Sequence, residues 1–402
     1  MVKSLYLYTR NIISLLFLRD RNIFLHDLRR YGKGFFNEKA PGISRGQALG
    51  NAMNWLLHAQ KAMKDGGIGS YHLVDGWSAS YPETSGYIIP TMIVYGGLSG
   101  EDEFISTAMH VANWLVSIQK ESGGWQGGRV GEGNPEIVFN TGQVIRGMLS
   151  AYVQGKDEKY LGAAIKAGDW LCRVQDEQGY WKETALMKAE RVYDSYVDMP
   201  LIMLSEFSDD SKYRDAAIKN LDWIINSKQK DNGWFEDCDN TIKHNDRPIL
   251  HTIAYTIDGL LDSGIRLNKA AYIDAAVKSA SILKELFNRD GYLHGRYDED
   301  WRGSEYMILT GCAQISIAWM KIFVLNKNKD FLMAARKMND LLIRIQNRQV
   351  KEKVNTLGAI PGSFPVWGKY EPFAFPNWAT KYFADAMIME TNIKHQAGIE
   401  NA

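Results

Sequence analysis

Cysteine is scarce in this chain: three residues in 402, Cys172, Cys238 and Cys312, set far apart. Three scattered thiols exclude a disulfide framework and fit a reducing compartment. Cys172 and Cys312 fall in apolar helical patterns, as small core residues do. Net charge is missing as well, with 47 Lys and Arg against 47 Asp and Glu. Without a basic excess the chain lacks the electrostatic footprint of a nucleic-acid binder, so no nucleic-acid partner is expected. The N-terminal end has no long apolar run. Ile12–Leu18 spans seven residues, is interrupted by Ser14, and lies between Arg10 and Arg19. That is too short and too charged to cross a bilayer, and no small-residue cleavage site follows it.

Charge is uneven only at the start, where the first 40 residues hold eight Lys or Arg against three Asp or Glu. They read as a basic extension (1–40) before a main domain (41–395) and a short tail (396–402). The extension suits either a peripheral membrane contact or a helix packed across the outside of the main domain. The expected setting is cytoplasmic, with membrane association through residues 1–40 as the lesser of those two readings and the packed helix as the favoured one.

Aromatic residues are abundant, 12 Trp, 20 Tyr and 15 Phe, and they recur with a period. Helix ends read Asn54-Trp-Leu-Leu-His-Ala-Gln60, Asn113-Trp-Leu-Val-Ser-Ile-Gln119, Asp169-Trp-Leu-Cys-Arg-Val-Gln175 and Asp222-Trp-Ile-Ile-Asn-Ser-Lys228, with degenerate copies at 281–287 and 340–346. Aligned on Trp55, Trp114, Trp170, Trp223, Ile282 and Leu341, the steps are 59, 56, 53, 59 and 59 residues. A constant step of this size marks one supersecondary unit repeated. Each unit holds two helices and two connections, so the expected fold is all-α: a single (α/α)6 barrel, or toroid, of six helix hairpins. Outer helices are expected over 44–62, 101–120, 157–175, 211–229, 269–287 and 329–347. Inner helices are expected over 83–98, 137–154, 193–207, 249–263, 304–325 and 377–391. Inner-to-outer links are short, whereas outer-to-inner links are long, Gly-rich and aromatic. The long links therefore gather at one rim, above the N-termini of the inner helices, where a site is expected.

Two turns, Gln119-Lys-Glu-Ser-Gly-Gly-Trp125 and Gln175-Asp-Glu-Gln-Gly-Tyr-Trp181, resemble the QW repeat of squalene–hopene-type triterpene cyclases, with a looser echo at Asn232-Gly-Trp234. The resemblance implies that these motifs tie helices to turns. The cyclases' Asp-x-Asp-Asp acid motif is matched in part by Asp237-Cys-Asp239-Asn240. Protein prenyltransferase β subunits share the toroid and use an Asp/Cys/His zinc site, which Cys238, Asp239 and His244 or His251 would imitate. The single six-hairpin ring is also similar to the (α/α)6 barrels of many glycoside hydrolases, polysaccharide lyases and sugar epimerases. In those enzymes carboxylates, His and Tyr stand at the long-loop rim, with aromatic sugar platforms. That resemblance lies at the level of fold.

The inner-helix starts carry a matching polar set. Candidate catalytic residues are Glu83, Asp194, Asp198, His251, Tyr255 and Glu305; candidate substrate-binding residues are Tyr81, Asn140, Gln143, Tyr196, Arg247, Arg296, Trp301, Tyr306, Trp378 and Lys381. Polar groups on helices enclosed by protein cost free energy unless paired or wet. Paired carboxyls suit glycoside hydrolysis, while His251 or Tyr255 with a cation suits uronate lyase or epimerase chemistry. The expectation is therefore a carbohydrate-active protein whose partner is an oligo- or polysaccharide, without cofactor or metal. The alternatives are a non-catalytic glycan-binding or polysaccharide-assembly protein and an isoprenoid cyclase or prenyltransferase-like protein.

Overall fold

The repeat geometry has a simple origin, visible in a computed structural model that describes residues 2–17, 21–31, 42–348 and 355–396. Trp55, Trp114 and Trp170 are buried, Trp114 against the turn at Gly66–Gly67 and Trp170 against the turn at Gly123–Gly124. The outer helices are α3 (Arg45–Lys61), α5 (Asp102–Ser117), α7 (Glu158–Arg173), α9 (Ser211–Ser227), α11 (Ala270–Asp290) and α13 (Lys329–Ile345). The inner helices are α4 (Pro82–Ser99), α6 (Val138–Gly155), α8 (Ser195–Ser208), α10 (Leu250–Leu267), α12 (Leu309–Asn326) and α14 (Asn377–Gln396). Consecutive inner helices pack side by side, and α14 returns to α4, so the ring closes. Five hairpins are sequential, but the sixth pairs α14 with α3, the last ring helix with the first. α12 is the one described helix long and apolar enough to cross a membrane, and its 18-residue window is 72% buried inside the ring.

Repeated side-chain bonds fasten each unit to the next. The Gln119 amide donates to Gly123 O (2.8 Å) and Ala163 O (2.9 Å), and Gln175 donates to Gly179 O and Ala216 O. Gln229 reaches Ala275 O, and Gln346 closes the circle through Gly358 O and Ala48 O. The turn glycine must be glycine: at Gly123 φ is +108° and a Cβ would lie 2.2 Å from Lys166 O. A second set runs from the residue ten before the repeat tryptophan to the one just before it in the preceding unit. Tyr160 donates to Asn113, Tyr213 to Asp169 and Tyr272 to Asp222, while Arg45 fills the same role toward Asp340.

The long loops interlock over the inner-helix N-termini. Val138 N donates to Thr184 O, Val192 N to Asp237 O, Leu250 N to Gly295 O and Leu309 N to Gly362 O. Each bond satisfies a helix-start donor from the next loop along. Short ladders complete the rim: β1 (Tyr71–His72) lies between β2 (Gly76–Trp77) and β7 (Ala374–Phe375), β3 (Arg296–Tyr297) pairs with β4 (Gly303–Ser304), and β5 (Met307–Ile308) pairs with β6 (Ser363–Phe364). The fifth inner helix therefore begins at Leu309, not near 304, because Glu305 takes φ +65° and Met307–Ile308 join a ladder.

Helices α1 (Val2–Phe17) and α2 (Arg21–Tyr31) lie on the long-loop rim, rather than on the barrel's flank. Tyr8 donates to Trp367 O, Val366 N donates to Asp27, Phe24 packs on Trp367, and Tyr31 meets Tyr306 edge-on at 5.6 Å. The rest of the basic extension and the tail beyond residue 396 fall outside the described residues.

Replacing Gln346 with Ala leaves two carbonyls at the ring closure without their side-chain donor. Its urea midpoint is expected to fall by the equivalent of about 1–3 kcal/mol, and Gln119→Ala by a similar amount. Unchanged midpoints in both variants would show that these bridges do not hold the ring.

Candidate active site

The long-loop rim encloses a cavity of about 520 Å³ at the inner-helix N-termini. None of α4, α6, α8, α10 or α12 has a side-chain N-cap bond, whereas outer α3, α7, α9 and α13 are capped by Ser44, Asp157, Asp210 and Asn328. Six residues expected at the site line this cavity: Tyr81, Glu83, Asn140, His251, Tyr255 and Trp378.

Glu83 follows Pro82 in the first turn of α4 and is 8% exposed. Burial raises its carboxyl to about 7, although the Tyr81 hydroxyl beside it favours the ionised form. His251, in the first turn of α10, places Nδ1 2.7 Å from Gln314 Oε1. With Oε1 as acceptor, Nδ1 carries the proton and Nε2 keeps a lone pair. Burial lowers this imidazole to about 4, so it is neutral at neutral pH. Tyr255 stands one turn on, its ring 4.4 Å from that of His251. The Tyr255 hydroxyl and Asn140 Nδ2 are buried at this cavity without a hydrogen bond of good geometry, Tyr255 lying beside the Tyr87 and Tyr382 hydroxyls and Asn140 beside that of Tyr81. Trp378 at the start of α14 donates from Nε1 to the Tyr370 hydroxyl at 2.9 Å.

Sequence reasoning missed Tyr87, Arg129, Tyr370 and Glu371, which line the same cavity. Tyr87 follows Glu83 by four residues, a same-face spacing that was available to find it. Arg129, Tyr370 and Glu371 come from loops, where no periodicity shows which way a side chain turns. Glu371 is raised by burial, against the pull of the Arg129 charge, so two carboxyls and one guanidinium share the space.

The remaining expected residues are placed elsewhere. Asp194 is buried in the turn Val192–Asp194, its Oδ2 without a partner, and burial raises it to about 8. Asp198 faces the outer ring, its Oδ2 accepting from Asn220 Nδ2 at 2.7 Å. Gln143 donates to Tyr196 O and bridges α6 to α8. Trp301 pins a loop by donating to Asn232 O. Arg296 is held by Asp239 (2.9 Å) and Glu305 (3.3 Å). Arg247, Glu305 and Tyr306 line a separate rim cavity with Tyr31 and Tyr292, while Tyr196 and Lys381 line a third cavity deeper in the ring.

The partial acid motif is structural. Asp237 pairs with Lys228 (2.7 Å), and Asp239 accepts from Ile249 N, Thr241 N and Arg296. Cys238 is buried against Thr256, and no group of three or more His, Cys, Asp or Glu among the described residues is placed to hold a metal ion.

No family model and no curated protein matches this sequence. Solved structures do match the fold. An unsaturated glucuronyl hydrolase specific for heparin aligns with a TM-score of 0.70 at 15% identity, over 87% of this chain and 98% of that one. The unsaturated glucuronyl hydrolase of Bacillus sp. GL1, described as responsible for glycosaminoglycan degradation, aligns at 0.68 and 15%, over 89% and 98%. An α-amylase from Clostridium perfringens aligns at 0.63 and 13%, over 85% and 97%. The chain thus has the (α/α)6 toroid fold that these carbohydrate-degrading enzymes have.

Glu83 also sets a pH dependence of stability. Its folded value of about 7 lies above the ordinary 4.5, so the unfolded chain loses this proton first as pH rises. Stability is therefore lost between those two values and the loss persists above them, amounting to about 3 kcal/mol. Asp194 has the same sign and His251 the opposite, so Glu83 is read from the difference between Glu83→Gln and wild type. That difference in urea unfolding free energy is expected to grow in the variant's favour from pH 4.5 to 7; a flat difference would refute the buried neutral carboxyl.

Proposed function

We propose that the rim cavity is the active site of a carbohydrate-active enzyme, a glycoside hydrolase acting on an oligo- or polysaccharide with an acidic sugar at the reacting end. The observation that carries this reading is Glu83: a buried carboxyl, raised to about 7, in a cavity lined by tyrosines and Trp378. A carboxyl that keeps its proton near neutral pH can protonate a glycosidic oxygen as the bond breaks. His251 Nε2, unprotonated at that pH, accepts a proton from the attacking water. Arg129 meets the sugar carboxylate, and Asn140 Nδ2 and the Tyr255 hydroxyl supply hydrogen bonds to the ring. The fold likeness to unsaturated glucuronyl hydrolases supports an acidic sugar.

Tyr255 gives a second reading a specific footing. Its hydroxyl, stacked beside a neutral histidine, also suits proton transfer next to a uronate carboxylate, as in a lyase or epimerase. Products separate the two. Hydrolysis adds water and yields a new reducing end; a lyase yields an unsaturated sugar.

The purified protein is expected to turn over oligosaccharides ending in a saturated or unsaturated uronate, and neutral ones poorly. Glu83→Gln should lower kcat by about 10²-fold or more, the usual scale for a general acid. Arg129→Met should raise KM for uronate-ended substrates about tenfold and leave neutral ones unaffected. Saccharide binding without turnover by any substrate would leave a glycan-binding module in place of an enzyme.

Membrane association of residues 1–40 and a cytoplasmic setting belong to the same proposal. Exposed Tyr6, Ile13 and Leu28 on the rim helices support a surface contact that would bring lipid-linked saccharides to the cavity. Sedimentation with anionic vesicles is the expected result; no vesicle binding by the full chain would remove that part.

A further inference from the structure

The lumen continues below the rim cavity. Further along every inner helix, toward the short connections, all six surround a lower cavity of about 370 Å³. One layer of four phenols separates the two spaces. Tyr87 and Tyr255 line the upper one, Tyr196 and Tyr382 the lower, with ring centroids 5.5 Å apart for Tyr87–Tyr382 and 4.6 Å for Tyr196–Tyr255.

The charges here are unevenly answered. Lys321 Nζ is 2.6 Å from Asp258 and 2.7 Å from Asp262. Lys381 Nζ is 2.7 Å from Asp385, whose other oxygen accepts from the Thr91 hydroxyl. Arg146 has no carboxylate within ion-pair distance among the described residues. Its Nη2 donates to Tyr196 O at a long 3.3 Å, Nη1 has a Met199 sulfur at 4.0 Å, and Nε has no partner. The guanidinium is held over the Tyr196 ring at 4.5 Å, a stacking that fixes its plane and leaves the N–H edge available. Tyr382, 1% exposed, adds a hydroxyl that sits among those of Tyr196 and Tyr255 without a hydrogen bond of good geometry to either. Burying such donors unmet costs free energy, and a planar N–H fork is the group best matched to a carboxylate.

Met199, Met203, Ile317, Ile388 and Met389 give the wall an apolar strip, set between the polar residues Ser150, Asp262, Lys321 and Asn392. Three cations face three carboxylates, so long-range attraction selects no ion; the Arg146 fork and the apolar strip make the selection. We propose that the lower cavity is a second binding site, for a small organic anion. Its carboxylate meets Arg146 and the Tyr382 hydroxyl, and its apolar body lies along Met199, Ile317 and Ile388. The volume suits a ligand of a few carbon atoms beyond the carboxylate. This site does not depend on the carbohydrate reading, because none of these five residues lines the rim cavity.

The test is titration calorimetry of the full chain with acetate, butanoate and hexanoate, beside hexanol, hexylammonium and inorganic phosphate. Hexanoate is expected to bind at least about tenfold more tightly than acetate, because its added methylenes are buried. Hexanol and hexylammonium should not bind. Arg146→Met should weaken hexanoate about tenfold or more and Tyr382→Phe severalfold, while Glu83→Gln leaves hexanoate affinity unchanged. Circular dichroism checks folding; should Arg146→Met fail to fold, Arg146→Lys, which keeps the charge and loses the fork, takes its place. The proposal is overturned if no carboxylate binds, if acetate or phosphate matches hexanoate, or if both the Arg146 variant and Tyr382→Phe bind as wild type does.

Discussion

A primary amide held between two backbone carbonyls is the bond on which this ring depends. Gln119, Gln175 and Gln346 each join the turn after their own outer helix to the flank of the next one. The amide's two N–H groups fix a distance and an angle between neighbours, so repetition bends a row of hairpins into a circle. The turn can approach the next helix that closely because Gly123 and Gly179 have no side chain there. The same turns feed the long loops, so all of those loops emerge at one rim. Where the rim cavity sits on this molecule is thus a consequence of how its units are fastened.

The partner beside it decides what each acidic group can do. Asp239 and Asp237 lie in loops where backbone amides and cations answer them, and they act as fasteners. Asp198 is answered by Asn220 between the rings. Glu83 is nearly as buried but has a phenol rather than a cation beside it, and its proton is retained to about 7. Similar carboxyls in sequence thus divide by partner into charges held in place and a proton retained, and the division does not follow burial alone, since Asp237 is half-buried and Asp239 buried. His251 follows the same logic in the opposite sense, since the Gln314 carbonyl favours the imidazolium but does not offset the burial that disfavours it.

Much of the architecture was legible because it is periodic. The repeat tryptophans place the outer helices α5 and α7 to within three residues at either end, and Pro82 and Pro376 mark two inner-helix starts. Periodicity also located the rim, and with it Glu83, His251, Tyr255 and Trp378. It failed where the chain stops repeating. Glu305 takes a left-handed backbone that no helical pattern announces, and the start of the fifth inner helix shifts with it. Arg129, Tyr370 and Glu371 reach the cavity because interlocked loops carry them there, a tertiary fact with no local signal. Asp194, Asp198 and Lys381 share helix-start positions with the true lining residues. One or two positions of helical rotation send them elsewhere.

The pairing of α14 with α3 has a consequence for how the ring is made. Five hairpins join helices adjacent in the chain, and each can form as soon as its second helix exists. The sixth joins segments more than 300 residues apart, and the Gln346 bond to Ala48 spans 298. Closing so long a loop is entropically dear and late, since non-local contacts repay their ordering only after the intervening units are in place. During synthesis the molecule is an open arc whose end faces, including the apolar sides of α3 and α4, are bare until the final helix leaves the ribosome. The interval between the fifth hairpin and the last ring helix is therefore one in which these faces are exposed to aggregation.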